Sequence, residues 1–227
     1  MKGIGTLVCT LFAFGAMGQT FEGKVVYSME ITGLPAGASS GPLAQFIPKQ
    51  QISYYKNGAM RTETVGGMVP MTIVVPKTGE GLLYLNEDKK QALLMDKAQL
   101  GKSLDAMKGM KVTTKKTTAT RTIAGHPCTK YMVTMTPAKK GETKMQTVVW
   151  AANNLKIAKP AAANPSNLLF KHIDGLPLIT TVQQGPMNIL LTATQVKAMP
   201  LSDSLFVKPA GYTQEPFSQE AIMKGLK

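Results

Sequence analysis

The sequence is poor in the residues that most often build catalytic and metal sites. It has two cysteines, two histidines and one tryptophan, and its 13 acidic residues are thinly spread. It contains no Gly-rich phosphate loop, no paired catalytic carboxylates and no Cys/His array. These absences argue against an enzyme, and we expect no catalytic residue, no cofactor and no metal.

Arginine is also scarce, although the chain is strongly basic. The formal net charge is +13, yet only two of the 26 basic residues, Arg61 and Arg121, are arginine. A nucleic-acid binder usually combines arginine with aromatic platforms and a clustered basic stripe, whereas lysine here is spread along the whole chain. We therefore expect no nucleic-acid partner. The charge indicates a solvated basic surface, with attraction to an anionic membrane surface as the alternative.

Long apolar runs are missing, because even the N-terminal run at residues 4–14 is too short to span a bilayer. Lys2, that run, and the small residues Ala16 and Gly18 form the pattern of a cleaved signal peptide, residues 1–18. A buried first strand is the alternative. We expect export to the periplasm or cell envelope, and whether the protein is retained there or secreted stays open.

Cysteine usage fits that compartment. Cys9 lies inside the predicted signal peptide, and Leu7-Val8 before it lacks the small residue of a lipoprotein signal. The mature chain then keeps Cys128 alone, so it forms no internal disulfide and depends on its core for stability.

What the sequence does contain is alternation of apolar and polar residues, which is typical of strands. The alternation is most regular at residues 121–153, which predict one long hairpin. Asn57-Gly58 predicts a two-residue turn, because that dipeptide accepts positive φ at both positions. Further strands are predicted at residues 21–31, 50–56, 59–65, 69–75, 81–85, 90–95, 111–122, 173–182 and 188–197, with 111–122 as an edge or solvent-facing strand.

Helical patterns are few. Leu100, Leu104 and Met107 predict a helix within residues 96–109, and shorter helical segments are predicted at 166–172 and 202–207. The Gly/Pro-rich segment 32–49 predicts a surface loop. The chain is thus predicted to be mostly β (α+β), with a single β domain over residues 19–212 and a C-terminal tail, 213–227.

Four motifs, in this order, carry a resemblance: FEGKV (21–25), YKNGAMR (55–61), IAGHPCTKY (123–131) with Trp150 after it, and DSLFVKPAGY (203–212). Across nearly the whole mature chain, the sequence resembles an exported bacterial family, a domain of unknown function related to the LolA/LolB lipoprotein carriers. The resemblance implies a LolA-like fold, a curved antiparallel half-barrel sheet with short helices in its concave face. In the carriers that hollow holds lipid acyl chains. The resemblance assigns no functional residue here.

The candidate ligand-binding residues are large side chains on the predicted strands: Val25, Tyr27, Met29, Ile31, Tyr131, Val133, Met135 and Trp150. We predict non-catalytic binding or transfer of a hydrophobic ligand, a lipid or lipoprotein acyl chains, weakened by a charge at Met29 or Met135. The alternative is a structural or interaction module of the cell envelope whose concave face is filled by its own side chains. The ligand's identity, protein partners and the oligomeric state stay open.

One motif points to hydrolysis but lacks its context. Residues 37–41, with Ser39 at their centre, match the nucleophile elbow, yet Pro35 and Pro42 stand where a strand and a helix are required. An exported hydrolase using Ser39 or His126 is therefore the least favoured function.

Metal binding has equally weak support. His126 and Cys128 flank Pro127, and further ligands occur at no recognisable spacing. The pairs Met68/Met71 and Met107/Met110 are soft donors that suit copper(I), but core packing is the stronger interpretation. Cys128 is expected to be a buried structural cysteine.

Overall fold

The computed structural model describes residues 20–34, 47–67, 70–106, 109–137, 144–158, 172–218 and 220–221. The strands of these residues are β1 (Gly23–Thr32), β2 (Gln50–Lys56), β3 (Ala59–Val65), β4 (Thr72–Val75), β5 (Gly81–Asn86), β6 (Gln91–Asp96), β7 (Lys111–Ile123), β8 (His126–Thr136), β9 (Met145–Ala152), β10 (Leu176–Gln184), β11 (Met187–Ala198) and β12 (Thr213–Pro216). An α-helix, α1 (Lys97–Ala106), and a 3-10 helix (Asp203–Phe206) accompany them.

All twelve strands belong to one open, curved sheet. Their order is β12-β6-β5-β4-β3-β2-β1-β11-β10-β9-β8-β7. Every neighbouring pair is antiparallel except β12 with β6, which is parallel. The prediction of a mostly β protein built on a curved antiparallel sheet is confirmed. β7 lies at one edge, as its Thr-rich polar sequence predicted.

The two faces of the sheet follow from its register, because residues directly paired across strands point to the same side. One side, the Tyr131 face, carries Tyr27 and Tyr131, which are linked through the pairs Tyr27↔Ala193, Leu191↔Thr180 and Val149↔Tyr131. The opposite side is the Arg61 face, where Arg61 pairs with Val74. Each helix covers one of these faces.

The helix α1 covers the Tyr131 face of β4–β6. Leu100 is 1% exposed and packs with Val75 and Leu82. Asp96 caps the helix: its Oδ1 accepts a hydrogen bond from the amide of Gln99 at 2.8 Å, and the Gln99 side-chain oxygen accepts from the Asp96 amide at 3.2 Å. This reciprocal capping satisfies two amides and explains why the helix begins directly after β6.

The Arg61 face of the same strands is covered by residues 199–212, which we call the exit segment. Leu201 and Phe206 of this segment are buried against Val74, Leu83 and neighbouring apolar side chains. The 3-10 helix that carries Phe206 is capped by Ser202, whose hydroxyl accepts from the Ser204 amide. The helical turn predicted at residues 202–207 is confirmed.

Next to this apolar part of the Arg61 face, toward the β5–β6 turn, lies a cluster of charged residues. Arg61 is 9% exposed, and its Nε lies 2.6 Å from Glu63 Oε1 while its Nη2 lies 3.2 Å from Glu87 Oε1. The hydroxyl of Tyr54 also donates to Glu63, at 3.4 Å. Because a buried guanidinium without acceptors is costly, these two carboxylates explain how Arg61 fits into a strand interior.

The strands β8 and β9 form a second core on the Tyr131 face. Tyr131, Val133, Val149 and Ala151 are buried there together with Ile173. The regular alternation of residues 131–136 and 145–150 therefore predicted both strands and placed Tyr131 and Val133 on the same side of the sheet.

Three boundaries differ from the sequence predictions. The single hairpin predicted at residues 121–153 is divided by a turn at Ala124-Gly125, where φ is 47° and 81°, so Arg121 belongs to β7. The strand predicted from residue 69 begins at Thr72. Thr213–Pro216, assigned from sequence to the tail, pairs with β6 as a strand.

Several predictions lie outside the described residues. These are the signal peptide 1–18, most of the loop 32–49 including Ser39, the tip of the central hairpin, and most of the helix 166–172. In the part of the chain that is described, no helix is long and apolar enough to cross a membrane.

Candidate functional site

A pocket opens on the Arg61 face between the sheet and the exit segment. Its volume is about 480 Å³, within the range of small-molecule sites. Its apolar floor is formed by Ala59, Leu83, Leu94 and Phe206. We call it the Phe206 pocket. The β2–β3 turn, the β4–β5 loop, β12 and the exit segment all contribute to its walls.

Lysines and two acids surround the pocket: Lys56, Lys77, Lys208, Glu80 and Asp203. Lys56 is the most constrained of them, because its ammonium lies 2.8 Å from Asp203 Oδ1 and 3.6 Å from Glu22 Oε1 and donates to the Leu201 carbonyl at 2.5 Å. Through these contacts Lys56 links β2 to the start of the exit segment. It thereby fixes the position of the segment that closes the pocket.

The Lys56–Asp203 pair shifts the titration of both groups. The hydrogen bond from Lys56, together with its positive charge, lowers the pKa of Asp203, and the charge of Lys77 adds to this effect. The same hydrogen bond raises the pKa of Lys56. Both groups therefore stay charged across the neutral pH range.

Seven of the eight predicted ligand-binding residues share one face, but it is not the face of the Phe206 pocket. They lie together on the Tyr131 face: Val25, Tyr27, Met29, Ile31, Tyr131, Val133 and Met135. Five of these are buried, and Met29 and Ile31 are partly buried. The alternation thus grouped them correctly, but most are part of the protein's own core.

Trp150, the eighth predicted residue, lies on the opposite side of the sheet. It pairs with Lys130 and Ile179, whereas its neighbour Val149 pairs with Tyr131. The guanidinium of Arg121 stacks on the indole at 4.1 Å from the ring centroid. This cation–π contact ties β7 to β9 across β8, and it separates Trp150 from the other predicted residues.

The residues weighed for chemistry have structural contacts. Cys128 is free and buried, as predicted; burial raises its thiol pKa, and its Sγ donates to the His126 carbonyl at 3.4 Å. The Nδ1 of His126 lies 3.2 Å from the side-chain Nδ2 of Asn154. Among the described residues, no three His, Cys, Asp or Glu side chains are grouped to hold a metal. Met71 is exposed, while Met68 and Met107 lie outside the described residues.

The fold and the site define a mostly β protein with one open sheet and an apolar-floored pocket under its exit segment. No family model matches the chain, and no curated protein matches it. Among solved structures it is similar to the crystal structure of LprF from Mycobacterium bovis, with a TM-score of 0.34 and 13% identity over 84% of this chain and 90% of that one. A likeness this distant carries no functional argument, and the family named from the motifs stays a prediction.

Sequence reasoning did not find the Phe206 pocket. Its walls come from four segments far apart in the chain, and no single segment has a binding motif. The sequence does contain one signal, the stretch Asp203-Ser-Leu-Phe206. Leu205 and Phe206 are apolar residues in a short capped turn, so the turn is expected to pack on an apolar part of the sheet.

Proposed function

We propose that this protein binds a hydrophobic ligand without catalysis, taking the acyl chain of a lipid or lipoprotein into the Phe206 pocket. The observation that carries the proposal is the pocket itself, about 480 Å³ with a floor of Ala59, Leu83, Leu94 and Phe206. A chain of methylenes gains about 0.8 kcal/mol for each group buried on such a surface.

The rim suits the other end of such a ligand. Lys77 and Lys208 line the pocket, and the methylenes of a lysine side chain add apolar surface while its charged end stays at the protein surface. The ammonium of Lys208 donates to the Tyr212 carbonyl at 2.8 Å. An acyl chain could therefore be enclosed while its polar end remains at the surface. We place this binding or transfer in the periplasm or cell envelope, on the signal-peptide pattern of residues 1–18.

The alternative function is a structural or interaction module of the envelope. It is favoured by the burial of the predicted ligand residues: Val25 is 0% and Val133 1% exposed. A sheet whose Tyr131 face is filled by its own side chains needs no ligand on that face. The two functions differ in whether the purified protein binds an apolar probe at all.

The test is displacement of a fluorescent fatty-acid probe from the protein lacking residues 1–18. We expect saturable binding at micromolar concentration or better. Leu94→Glu places a charge in the pocket, and it should weaken binding about tenfold or more, since tenfold corresponds to about 1.4 kcal/mol. Val65→Glu, at an exposed apolar residue away from the pocket, is the matched control and should bind as the parent does.

A third variant locates the ligand. Met29→Glu introduces the same charge on the Tyr131 face, where Met29 is partly buried. Loss of binding in Met29→Glu with normal binding in Leu94→Glu would move the ligand to that face. An absence of saturable binding to the folded parent protein would discard the binding function and favour the structural module.

A further inference from the structure

Charge is distributed unevenly between the strands of the sheet. The five strands from β11 to β7 are consecutive in the sheet, and their sequences contain no aspartate and no glutamate. The basic residues of these strands are Lys111, Lys115, Lys116, Arg121, Lys130 and Lys197. This part of the sheet therefore carries a positive charge that no acid on the same strands offsets.

Most of the charge at the β7 edge lies on the Arg61 face. Four basic residues of β7 and β8 belong to or pair with the alternate set of β8 residues that excludes Tyr131: Lys111, Lys115, Arg121 and Lys130. Within the described ranges, none of these four forms a salt bridge. Lys116 is on the Tyr131 face instead, and its ammonium lies 4.0 Å from Asp174 Oδ2.

Apolar side chains lie beside these basic residues on the same face. The pairs Lys115↔Met132 and Met132↔Val148 form one row across β7, β8 and β9, and Trp150 lies next to Val148 along β9. Met132 is 39% exposed, and Val148 and Trp150 are partly buried. We call this amphipathic area the Trp150 surface, defined by Lys115, Arg121, Lys130, Met132, Val148 and Trp150.

The basic residues at the other end of the Arg61 face are neutralised within the protein. The ammonium of Lys56 lies 2.8 Å from Asp203 Oδ1. The guanidinium of Arg61 lies 2.6 Å from Glu63 Oε1 and 3.2 Å from Glu87 Oε1. Among the described residues, the Trp150 surface has no such carboxylate partner, so its charge is available to an anion outside the molecule.

The composition of the surface favours a membrane over an acidic protein as that anion. Lysine is depleted in protein–protein interfaces, whereas it attracts anionic lipid headgroups without a fixed geometry. The guanidinium of Arg121 already stacks on Trp150, 4.1 Å from the ring centroid. Tryptophan is enriched where lipid headgroups meet acyl chains, because its ring is apolar and its N–H is polar.

We infer that the Trp150 surface binds an anionic lipid membrane. Lys115, Arg121 and Lys130 contact the phosphate headgroups, and Met132 and Trp150 lie at the boundary between headgroups and acyl chains. The described lining of the Phe206 pocket includes none of these residues, so this contact does not depend on a ligand in the pocket.

The first test is flotation with lipid vesicles. It uses the protein lacking residues 1–18, because the apolar run at residues 4–14 would bind lipid by itself. We expect binding to vesicles of equal parts phosphatidylglycerol and phosphatidylcholine, and binding about tenfold weaker or more to phosphatidylcholine alone. Salt raised from about 0.1 M to about 1 M shortens the Debye length from about 10 Å to about 3 Å and should release most of the protein. Equal binding to both kinds of vesicle would overturn the inference.

A pair of double variants tests whether this face is responsible. Lys115→Gln with Lys130→Gln should weaken binding to the phosphatidylglycerol vesicles about tenfold or more, since each charge near an anionic surface contributes about fivefold. Lys97→Gln with Lys102→Gln is the matched control, because it removes the same charge from exposed residues of α1 on the Tyr131 face. The control should bind nearly as the parent does. Equal losses in the two proteins would show that net charge alone drives binding, contrary to the inference.

Fluorescence reports the contact directly, because Trp150 is the only tryptophan of the chain. On binding to the phosphatidylglycerol vesicles, its emission should shift to the blue, and phospholipid with brominated acyl chains should quench it. Vesicle binding without either change would place the membrane on another face and overturn the inference. An absence of vesicle binding by the folded protein would do the same and would leave the surface to an acidic protein.

The fatty-acid probe separates this inference from the proposed function. Neither Lys115 nor Lys130 lines the Phe206 pocket, so the variant lacking both charges should bind the probe as the parent does. A variant that loses probe binding together with vesicle binding would show that the two lysines act through the pocket or the fold, and it would overturn a separate membrane surface.

Discussion

The two halves of the sheet are built from similar strands but are covered differently. In β4–β6 the Tyr131 face packs under α1 and the Arg61 face under the exit segment, so Leu100 and Phe206 are buried on opposite sides. In β8 and β9 the Tyr131 face is buried at Tyr131 and Val149, whereas the opposite face is only partly covered: Cys128 and Ala152 are buried there, but Met132 is 39% exposed and Trp150 is partly buried under Arg121. Burial is therefore decided by the segments between and after the strands as well as by the alternation within them.

This contrast explains where the candidate site lies. The Phe206 pocket forms where a short covering segment with a capped turn leaves a gap over an apolar face.

The largest effect should come from removing the contact that holds α1 on β4–β6. Leu100→Ala deletes a side chain that is 1% exposed, and it should lower the free energy of unfolding by about 2–5 kcal/mol. Met132→Ala, at an exposed residue of β8, should change the free energy of unfolding by less than about 0.5 kcal/mol. Urea denaturation of both variants measures the difference, and equal effects would show that the two halves are covered alike.

The next largest effect should come from the two turns with positive φ, the β2–β3 turn and the β7–β8 turn, which we expect to be equally sensitive to substitution of their glycines. Asn57 and Gly58 have φ of 48° and 85°, and Ala124 and Gly125 have 47° and 81°. Gly58→Val forces a β-branched residue into positive φ and should cost about 1–3 kcal/mol. Gly125→Val should cost a similar amount, because no atom lies near its missing Cβ and only the backbone strain counts. Melting temperatures that do not change would contradict the turn geometry.

The smallest effect concerns the ion pair at the pocket rim. Because the pKa of Asp203 is lowered by Lys56, its contribution to stability is present above the usual aspartate range and lost as pH falls through the lowered value. The raised pKa of Lys56 makes the same contribution disappear as pH rises through that value. Asp203→Asn should therefore lower the melting temperature slightly near pH 7. The difference from the parent should shrink as the pH falls through the lowered pKa of Asp203.

The control for that prediction is Asp88→Asn, an exposed residue of the β5–β6 turn. It should show no such pH-dependent difference. A gap between Asp203→Asn and the parent that stays constant from pH 3 to pH 7, limits that flank the usual aspartate value of about 3.9, would indicate lost packing and not a lost charge interaction.

Local patterns predicted the strands better than their boundaries. Asn57-Gly58 was recognised because both residues readily accept positive φ. Ala124-Gly125 adopts a similar turn, but alanine rarely does so, and the boundary between β7 and β8 was missed. The strand β12 has four exposed residues and no alternation, and only its pairing with β6 reveals it.

The sites were harder to predict than the fold, for a physical reason. Alternation correctly placed Tyr131 and Val133 on one side but could not show that the core fills that side. The Phe206 pocket depends on how the exit segment lies over β3 and β5, and this packing leaves no periodic trace in the sequence.

The position of β1 also determines how the chain can fold. It lies between β2 and β11, and its bond from Ser28 to Thr192 joins residues 164 positions apart. Such distant pairing makes loop closure costly and folding slow. Until β11 is available, β1 remains a bare edge on β2, with Val25 and Tyr27 unable to complete their core. We therefore expect the pairing of β1 with β11, which needs both ends of the chain, to form late in folding.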